Sequence, residues 1–270
     1  MASAPSIPRK VPRQRVDLML VERGLVDSRS RAQALVMAGV VYAGDRRVAK
    51  PGDLLAADTA LTVKGQDHPW VSRGALKLAH ALAEFGLSPD GRICLDVGAS
   101  TGGFTDVLLA HGAARVHAVD VGHGQLAWKL RSDPRVVVHE KTNARHLTRD
   151  QVPDPIEVVV CDASFIGLTT VLPAALALCV PGAWAVALIK PQFEAGPDAV
   201  GSKGVVRDPA VHEAVCVKIR EWWSALPGWR VIGLVESPIT GPEGNKEFLI
   251  AAIRSGAAGV DSRSAGQPGA

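Results

Sequence analysis

Short apolar runs alternate with stretches of helical periodicity from about residue 74 to residue 254. Runs rich in β-branched residues, alanine and leucine predict buried strands at 93–97, 116–119, 136–139, 156–161 and 183–189. Between them, apolar residues such as Phe104, Val107 and Leu108 recur at helical spacing, which indicates amphipathic helices. Strands that alternate with helices predict an α/β fold with a mostly parallel sheet.

Two further apolar runs predict strands near the C-terminus, at 230–235 and from Glu247 onward, after a helix at about 209–225. We expect the last strand to run antiparallel to the others. Glu247 stands at its beginning, so its side chain would then lie at the edge of the sheet where the parallel strands end.

An uncharged stretch from Ala163 to Ile189 is long enough for a membrane-spanning helix of about 20 residues. Pro181 and Gly182 split it, so we interpret it as a helix over about 168–179 followed by the strand at 183–189. The N-terminus is basic but has no apolar stretch, which predicts no secretory signal. No membrane association is expected.

Residues 15–64 have the pattern of a separate small module. A helix begins near Val16, and Ser28 caps a second helix. A hairpin over 40–48 and a short strand over 58–63 follow. The sequence therefore predicts a small α+β domain in front of the larger α/β domain.

Charge is distributed unevenly along the chain. Residues 1–80 contain 13 Lys and Arg against 7 Asp and Glu, whereas residues 81–270 contain 17 against 20. A basic N-terminal part suggests contact with nucleic acid, although a solvated charged surface is the simpler alternative. Arg29 and Arg31 stand in the first turn of a helix, where anionic groups are preferred, and we therefore favour phosphate binding.

The four cysteines, Cys94, Cys161, Cys179 and Cys216, show no Cys-x-x-Cys spacing, and most lie in apolar runs. This pattern predicts core thiols of a cytoplasmic protein and argues against both a disulfide framework and a zinc site. No metal is expected.

The segment 93–105 joins a strand to a helix through a turn that contains Gly98, Gly102 and Gly103. Glycine has no Cβ, so backbone N–H groups can lie against a ligand there. The dinucleotide fingerprint Gly-x-Gly-x-x-Gly is absent. Asp96 at the strand end instead suits a ligand with an amino group, which favours S-adenosylmethionine. Glycines that serve only tight packing are the alternative.

Polar residues also follow other predicted strands. Asp162 and Lys190 come directly after two of them and should project into one crevice with the glycine turn. Asp120 follows Asp96 at about the spacing at which a carboxylate meets ribose hydroxyls, although it could instead cap a strand end. Asn143 could bind an adenine edge or stabilise a turn.

The N-terminal module resembles an S4 RNA-binding domain. The matching residues are Arg15-Val16-Asp17, Arg23-Gly24-Leu25, Ser28 to Ala32, Gly39-Val40-Val41, Gly44 and Lys50-Pro51-Gly52. The resemblance implies phosphate contacts by Arg15, Arg23, Arg29, Arg31 and Lys50, with Arg73 of the connector as a further RNA contact. Such contacts set affinity and position rather than sequence choice.

Lys77, Asp162, Lys190 and Glu247 form a Lys-Asp-Lys-Glu set that resembles the FtsJ-like methyltransferases, which modify the 2′-hydroxyl of RNA ribose. Over about residues 15–252 the chain resembles the TlyA (haemolysin A-like) family. The segments that carry this resemblance are Trp70-Val-Ser-Arg-Gly-Ala75, Asp96-Val-Gly-Ala-Ser-Thr-Gly-Gly-Phe-Thr105, Asp120-Val-Gly-x-Gly-Gln-Leu126, Thr142-Asn-Ala-Arg145, Lys190-Pro-Gln-Phe-Glu194 and Gly241-Pro-x-Gly-Asn-x-Glu247. His68-Pro69 departs from the usual connector, which could alter the coupling between the domains.

The resemblance implies a Rossmann-like methyltransferase sheet with a small N-terminal domain. The expected divisions are a disordered tail at 1–14, an S4 domain at 15–67, a linker at 68–73, a methyltransferase domain at 74–254 and a second disordered tail at 255–270. The residues expected to bind S-adenosylmethionine are Asp96, Gly98, Ser100, Thr101, Gly102, Gly103, Phe104, Asp120, Asn143 and Asp162.

The implied reaction is methyl transfer from S-adenosylmethionine to the 2′-hydroxyl of cytidine in ribosomal RNA of the small subunit, the large subunit or both. Ribosomal RNA and ribosomal subunits would be the partners of a monomer. A non-catalytic RNA-binding assembly factor and a membrane-lytic protein are the alternatives.

The implied catalytic set suits this chemistry. The sulfonium already activates the methyl group, so the enzyme mainly has to orient the ribose hydroxyl and remove its proton. A lysine kept neutral by burial and by a neighbouring cation can act as a general base. We assign this role to Lys190, with Lys77 as the neighbouring cation and with Asp162 and Glu247 holding both lysines and the hydroxyl in place.

Overall fold

The computed structural model describes residues 12–23, 25–26, 28–64, 68–196, 199–201, 204–241 and 244–256. Most of the two predicted tails, 1–14 and 255–270, lies outside these ranges. Residues 13 and 14 were predicted to belong to the first tail, but they form part of a strand in the N-terminal module. That strand is ordered by its pairing with residues 54–56, a distant partner that no local pattern reveals.

In its described residues, the N-terminal module contains two helices and five short strands, with a core of its own. Its elements are β1 (Arg13–Arg15), α1 (Val16–Glu22), α2 (Arg29–Met37), β2 (Val41–Ala43), β3 (Arg46–Arg47), β4 (Leu54–Ala56) and β5 (Leu61–Val63). Ser28 caps α2 as predicted, because its side chain accepts a hydrogen bond from the backbone of Arg31. Strand β1 pairs with β4, and β2 pairs with both β3 and β5.

The larger domain is a seven-stranded sheet flanked by helices. Its elements are α3 (Ala75–Phe85), β6 (Ile93–Val97), α4 (Gly103–Ala110), β7 (Arg115–Val119), α5 (Trp128–Arg131), β8 (Val136–His139), β9 (Ile156–Cys161), α6 (Leu168–Ala177), β10 (Cys179–Ile189), α7 (Pro191–Glu194), α8 (Pro209–Ser224), β11 (Trp229–Glu236) and β12 (Phe248–Arg254), with a 3-10 turn at Ala144–His146.

The strands lie in the order β11-β12-β10-β9-β6-β7-β8. Strands β8, β7, β6, β9 and β10 run parallel to one another, whereas β12 is antiparallel to both β10 and β11. The predicted α/β fold, with a mostly parallel sheet and an antiparallel last strand, is confirmed.

Side chains of strand β6 pack alternately against the two layers of helices. Leu95 and Val97 of β6 belong to the core beneath α6 and α8. Cys94 belongs to the core beneath α3 and α4. This alternation follows from the two-residue repeat of a strand and explains why the buried strands have continuous apolar sequences.

The uncharged stretch forms a helix and a strand, as predicted, but the strand begins earlier than the pattern suggested. Strand β10 starts at Cys179, and its register against β9 shifts between Cys179 and Trp184. The irregularity contains Pro181 and Gly182, so the break is accommodated inside the strand. Across the described ranges, no helix is both long enough and apolar enough to cross a membrane.

The strand order reverses at β6: the strands that follow it first lie on one side of it, and the later strands lie on the other. Strand β7 lies on one side of β6 and β9 on the other. The crevice outside the carboxyl ends of such strands is where open α/β sheets bind ligands. The antiparallel strand β12 begins at this same edge, which brings the segment before it to the crevice.

Candidate active site

A cavity of about 650 Å³ opens at the carboxyl ends of β6, β9 and β10. The glycine turn forms one wall, and the start of α3 forms another. The segments after β9 and β10 and the segment before β12 complete it. The predicted crevice is therefore present, and its size is typical of a site for a small organic ligand.

Two glycines of the turn are required by the packing around them. Gly98 has a φ of +81°, and a Cβ there would lie 2.8 Å from the Cα of Ala163. Gly102 has a φ of +96°, and its Cβ would lie 2.2 Å from the Cδ1 of Leu130. A Cβ at Gly98 would collide with the backbone after β9. At Gly102 the nearby atoms are the ends of leucine side chains, which can move, so the positive φ is the main reason for glycine there. The packing alternative thus accounts for these two positions without excluding a ligand.

Asp96 lies fully buried beneath the glycine turn and does not line the cavity. The Thr105 hydroxyl donates to its Oδ2 at 2.7 Å, while Oδ1 has no hydrogen-bond partner among the described residues. Burial raises the pKa of the Asp96 carboxyl to about 7. A buried acceptor of this kind suits a positively charged group and opposes a phosphate.

The four predicted catalytic side chains form one linked row. Lys77 Nζ lies 2.6 Å from Glu247 Oε2 and 3.8 Å from Asp162 Oδ2. Lys190 Nζ lies 2.6 Å from Asp162 Oδ1. Lys77, Lys190 and Glu247 are all buried, and all four residues line the cavity. The structure therefore brings together two amines and two carboxylates that are far apart in the sequence.

Each member of the row reaches the cavity for a topological reason. Lys77 stands in the first turn of α3, and Asp162 and Lys190 directly follow the adjacent strands β9 and β10. Glu247 directly precedes β12, which lies beside β10 and runs the opposite way. A parallel last strand would have placed Glu247 at the far edge of the sheet.

Lys190 has partners beyond the carboxylate of Asp162. Its Nζ donates to the backbone oxygen of Asp162 at 3.0 Å and to the Oγ of Ser164 at 2.8 Å. Ser164 is exposed and lines the cavity. Ser164 was not among the predicted site residues, although its place two positions after a strand-end aspartate was an available signal.

Phe165 is a second residue of the cavity that was not predicted. Its side chain is 89% exposed, and its ring centroid lies 5.1 Å from that of Phe193. Its φ of +65° is a strained conformation for a residue with a side chain. An exposed aromatic ring at the mouth of a polar cavity is the kind of surface on which a nucleobase stacks.

The predicted cofactor residues divide into two groups. Those that line the cavity are Gly98, Ser100, Thr101, Gly103, Phe104 and Asp162. Gly102 is buried behind the turn, while Asp120 and Asn143 bind backbone groups. Asp120 accepts from the backbone N–H of Ser100 at 2.8 Å and of Gly122 at 2.7 Å. Asn143 accepts from Arg145 N at 3.1 Å. Asp120 thus links the end of β7 to the glycine turn, and Asn143 holds the turn that follows it.

The predicted RNA-binding residues also differ in their surroundings. Asp17 is fully buried and accepts from both Arg15 and Arg29, which hold the pKa of its carboxyl well below the usual range. Arg23 donates to the backbone oxygens of Ala57 and Thr59.

The remaining predicted RNA contacts are exposed. Arg31 and Lys50 lie on the surface of the N-terminal module. Arg73 lines the cavity and donates to the backbone oxygen of Thr240 at 2.8 Å. Five of the six basic residues thus belong to the module, and one stands at the candidate active site.

The cysteines pack as core thiols. Cys94, Cys161 and Cys179 are buried, and Cys216 is half-buried. Burial raises the pKa of Cys161 and Cys179 to about 12 and that of Cys216 to about 11. Within the part of the chain that the structure describes, His, Cys, Asp and Glu side chains form no group of three that could hold a metal ion.

Comparisons with known proteins agree with this geometry. The sequence model of the FtsJ-like methyltransferase family matches residues 70–254. A provisionally named rRNA methyltransferase, YqxC of Bacillus subtilis, is 50% identical over 88% of this chain and 85% of its own length. The 16S/23S rRNA (cytidine-2′-O)-methyltransferase TlyA of Mycobacterium tuberculosis is 49% identical over 88% of this chain and 89% of its own.

A solved structure from Streptococcus thermophilus, provisionally described as a hemolysin, is also similar. It is 43% identical in sequence, with a TM-score of 0.69 over 91% of this chain and 90% of its own. The similarity to this structure and to the two sequence relatives extends well beyond the methyltransferase domain, because the matched share of the chain exceeds that domain.

Proposed function

The chain belongs to the FtsJ-like methyltransferase family, among the relatives of TlyA, and on this basis we propose that it methylates the 2′-hydroxyl of cytidine ribose in ribosomal RNA. The observation that carries the proposal is the linked row of Glu247, Lys77, Asp162 and Lys190 beside the glycine turn. Because TlyA of M. tuberculosis is named for both 16S and 23S rRNA, both subunits are substrates to test. A ribosomal substrate would place the protein in the cytoplasm.

The glycine turn fits S-adenosylmethionine better than a phosphate-bearing cofactor. No Lys or Arg occurs between Asp96 and Thr105, and the unpartnered Asp96 oxygen lies beneath the turn. Ser100, Thr101 and Phe104 would hold the cofactor from the cavity wall. Asp120 and Asn143 remain proposed contacts for its adenosine part. When bound, the cofactor supplies a methyl group that is already activated on a sulfonium.

The charged row would prepare the ribose hydroxyl for attack. We assign removal of the 2′-hydroxyl proton to Lys190, which is buried at the cavity wall. Lys77 would fix the ribose oxygen as a neighbouring cation, while Glu247 and Asp162 hold the two amines in place. Orienting the hydroxyl and removing its proton are the contributions that this reaction requires of the protein.

The N-terminal module and the cavity mouth would hold the RNA. We propose that this module acts as an S4 RNA-binding domain, in which exposed Arg31 and Lys50 neutralise phosphates and the buried Asp17 carboxylate presents Arg15 and Arg29. Phe165 would stack on the target base and support it in the cavity. Stacking tolerates any base, so the choice of cytidine would need contacts beyond this ring.

Transfer of tritium from labelled S-adenosylmethionine to purified 30S and 50S subunits tests the proposal. We expect ribose methylation of at least one ribosomal RNA. Lys190→Ala should slow it by at least about 100-fold, the usual contribution of a general base, while RNA affinity stays within twofold. Lys246→Ala is the matched control, because the described ion pair of Lys246, with Glu236, is exposed to solvent.

Other outcomes of the same experiment would support a different function. No transfer to either subunit by folded, cofactor-bound protein would refute the proposal. RNA binding without transfer would support a non-catalytic assembly factor. Retention of the wild-type rate by Lys190→Ala would contradict the assignment of the base but leave the methyltransferase function in place.

A further inference from the structure

Ser164 occupies the position between the buried amine of Lys190 and the open cavity. Its Oγ lies 2.8 Å from Lys190 Nζ. Lys190 is only 7% exposed, whereas Ser164 is exposed and lines the cavity. A ribose in the cavity would therefore meet the serine hydroxyl on the accessible side of the amine.

The described partners of Lys190 limit how its amine can accept a proton. The amine donates to the Asp162 backbone oxygen and to Ser164 Oγ, and it lies within ion-pair distance of Asp162 Oδ1. Three oxygen atoms thus surround a group that carries three N–H bonds when it is charged. To act as a base, the amine must first be neutral, and its lone pair must then face one of these three positions. A carboxylate or carbonyl oxygen has no hydrogen to offer, whereas a serine hydroxyl both donates and accepts.

We propose that Ser164 relays the proton from the ribose 2′-hydroxyl to Lys190. The ribose O–H bond breaks and its hydrogen passes to Ser164 Oγ, while the original Ser164 hydrogen passes to Lys190 Nζ. The electron pair left on the ribose oxygen would form the bond to the methyl group that a bound cofactor supplies, and the electrons of the bond broken to that methyl group would stay with the cofactor. Ser164 ends the step unchanged and Lys190 ends it as an ammonium, which balances the positive charge that the cofactor would lose.

The backbone around Ser164 keeps its hydroxyl within hydrogen-bond distance of Lys190. The segment 162–167 is fixed at its start by the contacts of Asp162 with Lys190. It is fixed at its end by Glu194, whose Oε1 accepts from Leu168 N at 2.6 Å. A relay needs this restraint, because proton transfer falls steeply once the heavy atoms move beyond hydrogen-bond distance.

The inference depends on the proposed methyl transfer, and single-turnover kinetics with S-adenosylmethionine and ribosomal RNA test it. Ser164→Ala should slow the chemical step by about 100-fold, while the affinities for cofactor and RNA stay within twofold. Ser164→Thr keeps the hydroxyl and should recover most of the rate. Ser132→Ala is the matched control, because its hydroxyl bonds only to backbone oxygens of α5.

The solvent deuterium isotope effect gives a readout that a purely structural role would not change. In the wild type two protons move in the same step, so a plot of the rate against the deuterium fraction of the solvent should be curved. In Ser164→Ala only one proton moves, so the plot should be linear. The relay would be overturned if Ser164→Ala reacted within threefold of the wild-type rate, or if Ser164→Thr were as slow as Ser164→Ala. Failure of the proposed function is distinct, because the wild type and Ser132→Ala would then also transfer no methyl group.

Discussion

The Asp96 carboxyl group makes the stability of this protein depend on pH. Burial raises its pKa to about 7, against about 3.9 for an aspartate in an unfolded chain. Between these two values the folded protein holds a proton that the unfolded chain has released. The contribution of Asp96 to the free energy of unfolding therefore falls as the pH rises from about 4 to about 7 and is constant above that.

Asp96→Asn should remove this contribution in the absence of cofactor. We expect the variant to gain stability relative to the wild type as the pH rises from 5 to 7. The difference between their free energies of unfolding should increase by up to about 1.4 kcal/mol per pH unit. Urea unfolding across this range measures the difference, with the exposed Asp45→Asn as the control. A difference that is the same at every pH would contradict the titration of Asp96.

Helix α6 depends on a side chain from another element at its N-terminus. Gly167, its N-cap residue, has no side chain to accept from the first N–H groups. Glu194 of α7 supplies the acceptor for Leu168 N, and Lys218 of α8 donates to the backbone oxygen of Glu194 at 2.9 Å. One residue thus joins three helices and anchors the segment that carries Ser164 and Phe165.

Glu194→Ala should destabilise the larger domain by about 1–2 kcal/mol, the usual effect of losing a helix cap or a buried hydrogen bond. Methyl transfer should also slow, because the segment after β9 loses its second anchor. Glu194→Gln keeps an acceptor for Leu168 N and should lose less than half as much stability. Urea unfolding compares the variants, and an equal loss for Gln and Ala would show that the acceptor is not what stabilises the helix.

RNA affinity and methyl transfer depend on different parts of the protein in this proposal. The N-terminal module has its own apolar core and carries the exposed basic residues. The larger domain carries the cavity and the charged row. Substitutions in the module should therefore change the salt dependence of RNA binding, and substitutions in the row should leave it unchanged.

Arg31→Ala and Lys50→Ala should each reduce the slope of log affinity against log salt concentration by about 1, because each removes one phosphate contact. Fluorescence anisotropy with a labelled ribosomal RNA fragment measures this slope. Lys246→Ala, which removes an equal charge from the larger domain, should leave it unaltered. An identical slope for all three variants and the wild type would place the RNA on another surface.

Much of the fold could be predicted because the buried strands have unmistakable local patterns. The runs at 93–97 and 156–161 form strands β6 and β9 with the predicted bounds. The strands β1 and β4 were not predicted, since three residues are too few to show a two-residue repeat. The early start of β10 was missed because a bulge accommodates Pro181 and Gly182, which locally resemble a break.

The candidate site could be predicted only as a set of residue types at strand ends. That Asp162 and Lys190 share a crevice follows from adjacent parallel strands, and a sequence can suggest that much. The contacts of Asp120 and Asn143 with nearby backbone, and the contact of Ser164 with Lys190, depend on loop conformations that carry no periodic signal. Local patterns therefore placed Asp162, Lys190 and Glu247 at strand ends, and the resemblance to the FtsJ-like family added Lys77. Neither identified the hydroxyl of Ser164.

The amino-acid order alone was enough to specify the buried strands, the glycine turn and the chemistry of the residues that follow it, because burial and turn geometry act over a few neighbouring positions. The meeting of Lys77 with Glu247 was settled by folding, since it requires β12 to insert beside β10 in the opposite direction. Pairing between distant strands is a cooperative property of the whole sheet. No segment of the chain encodes it separately, so it had to be read from the three-dimensional arrangement.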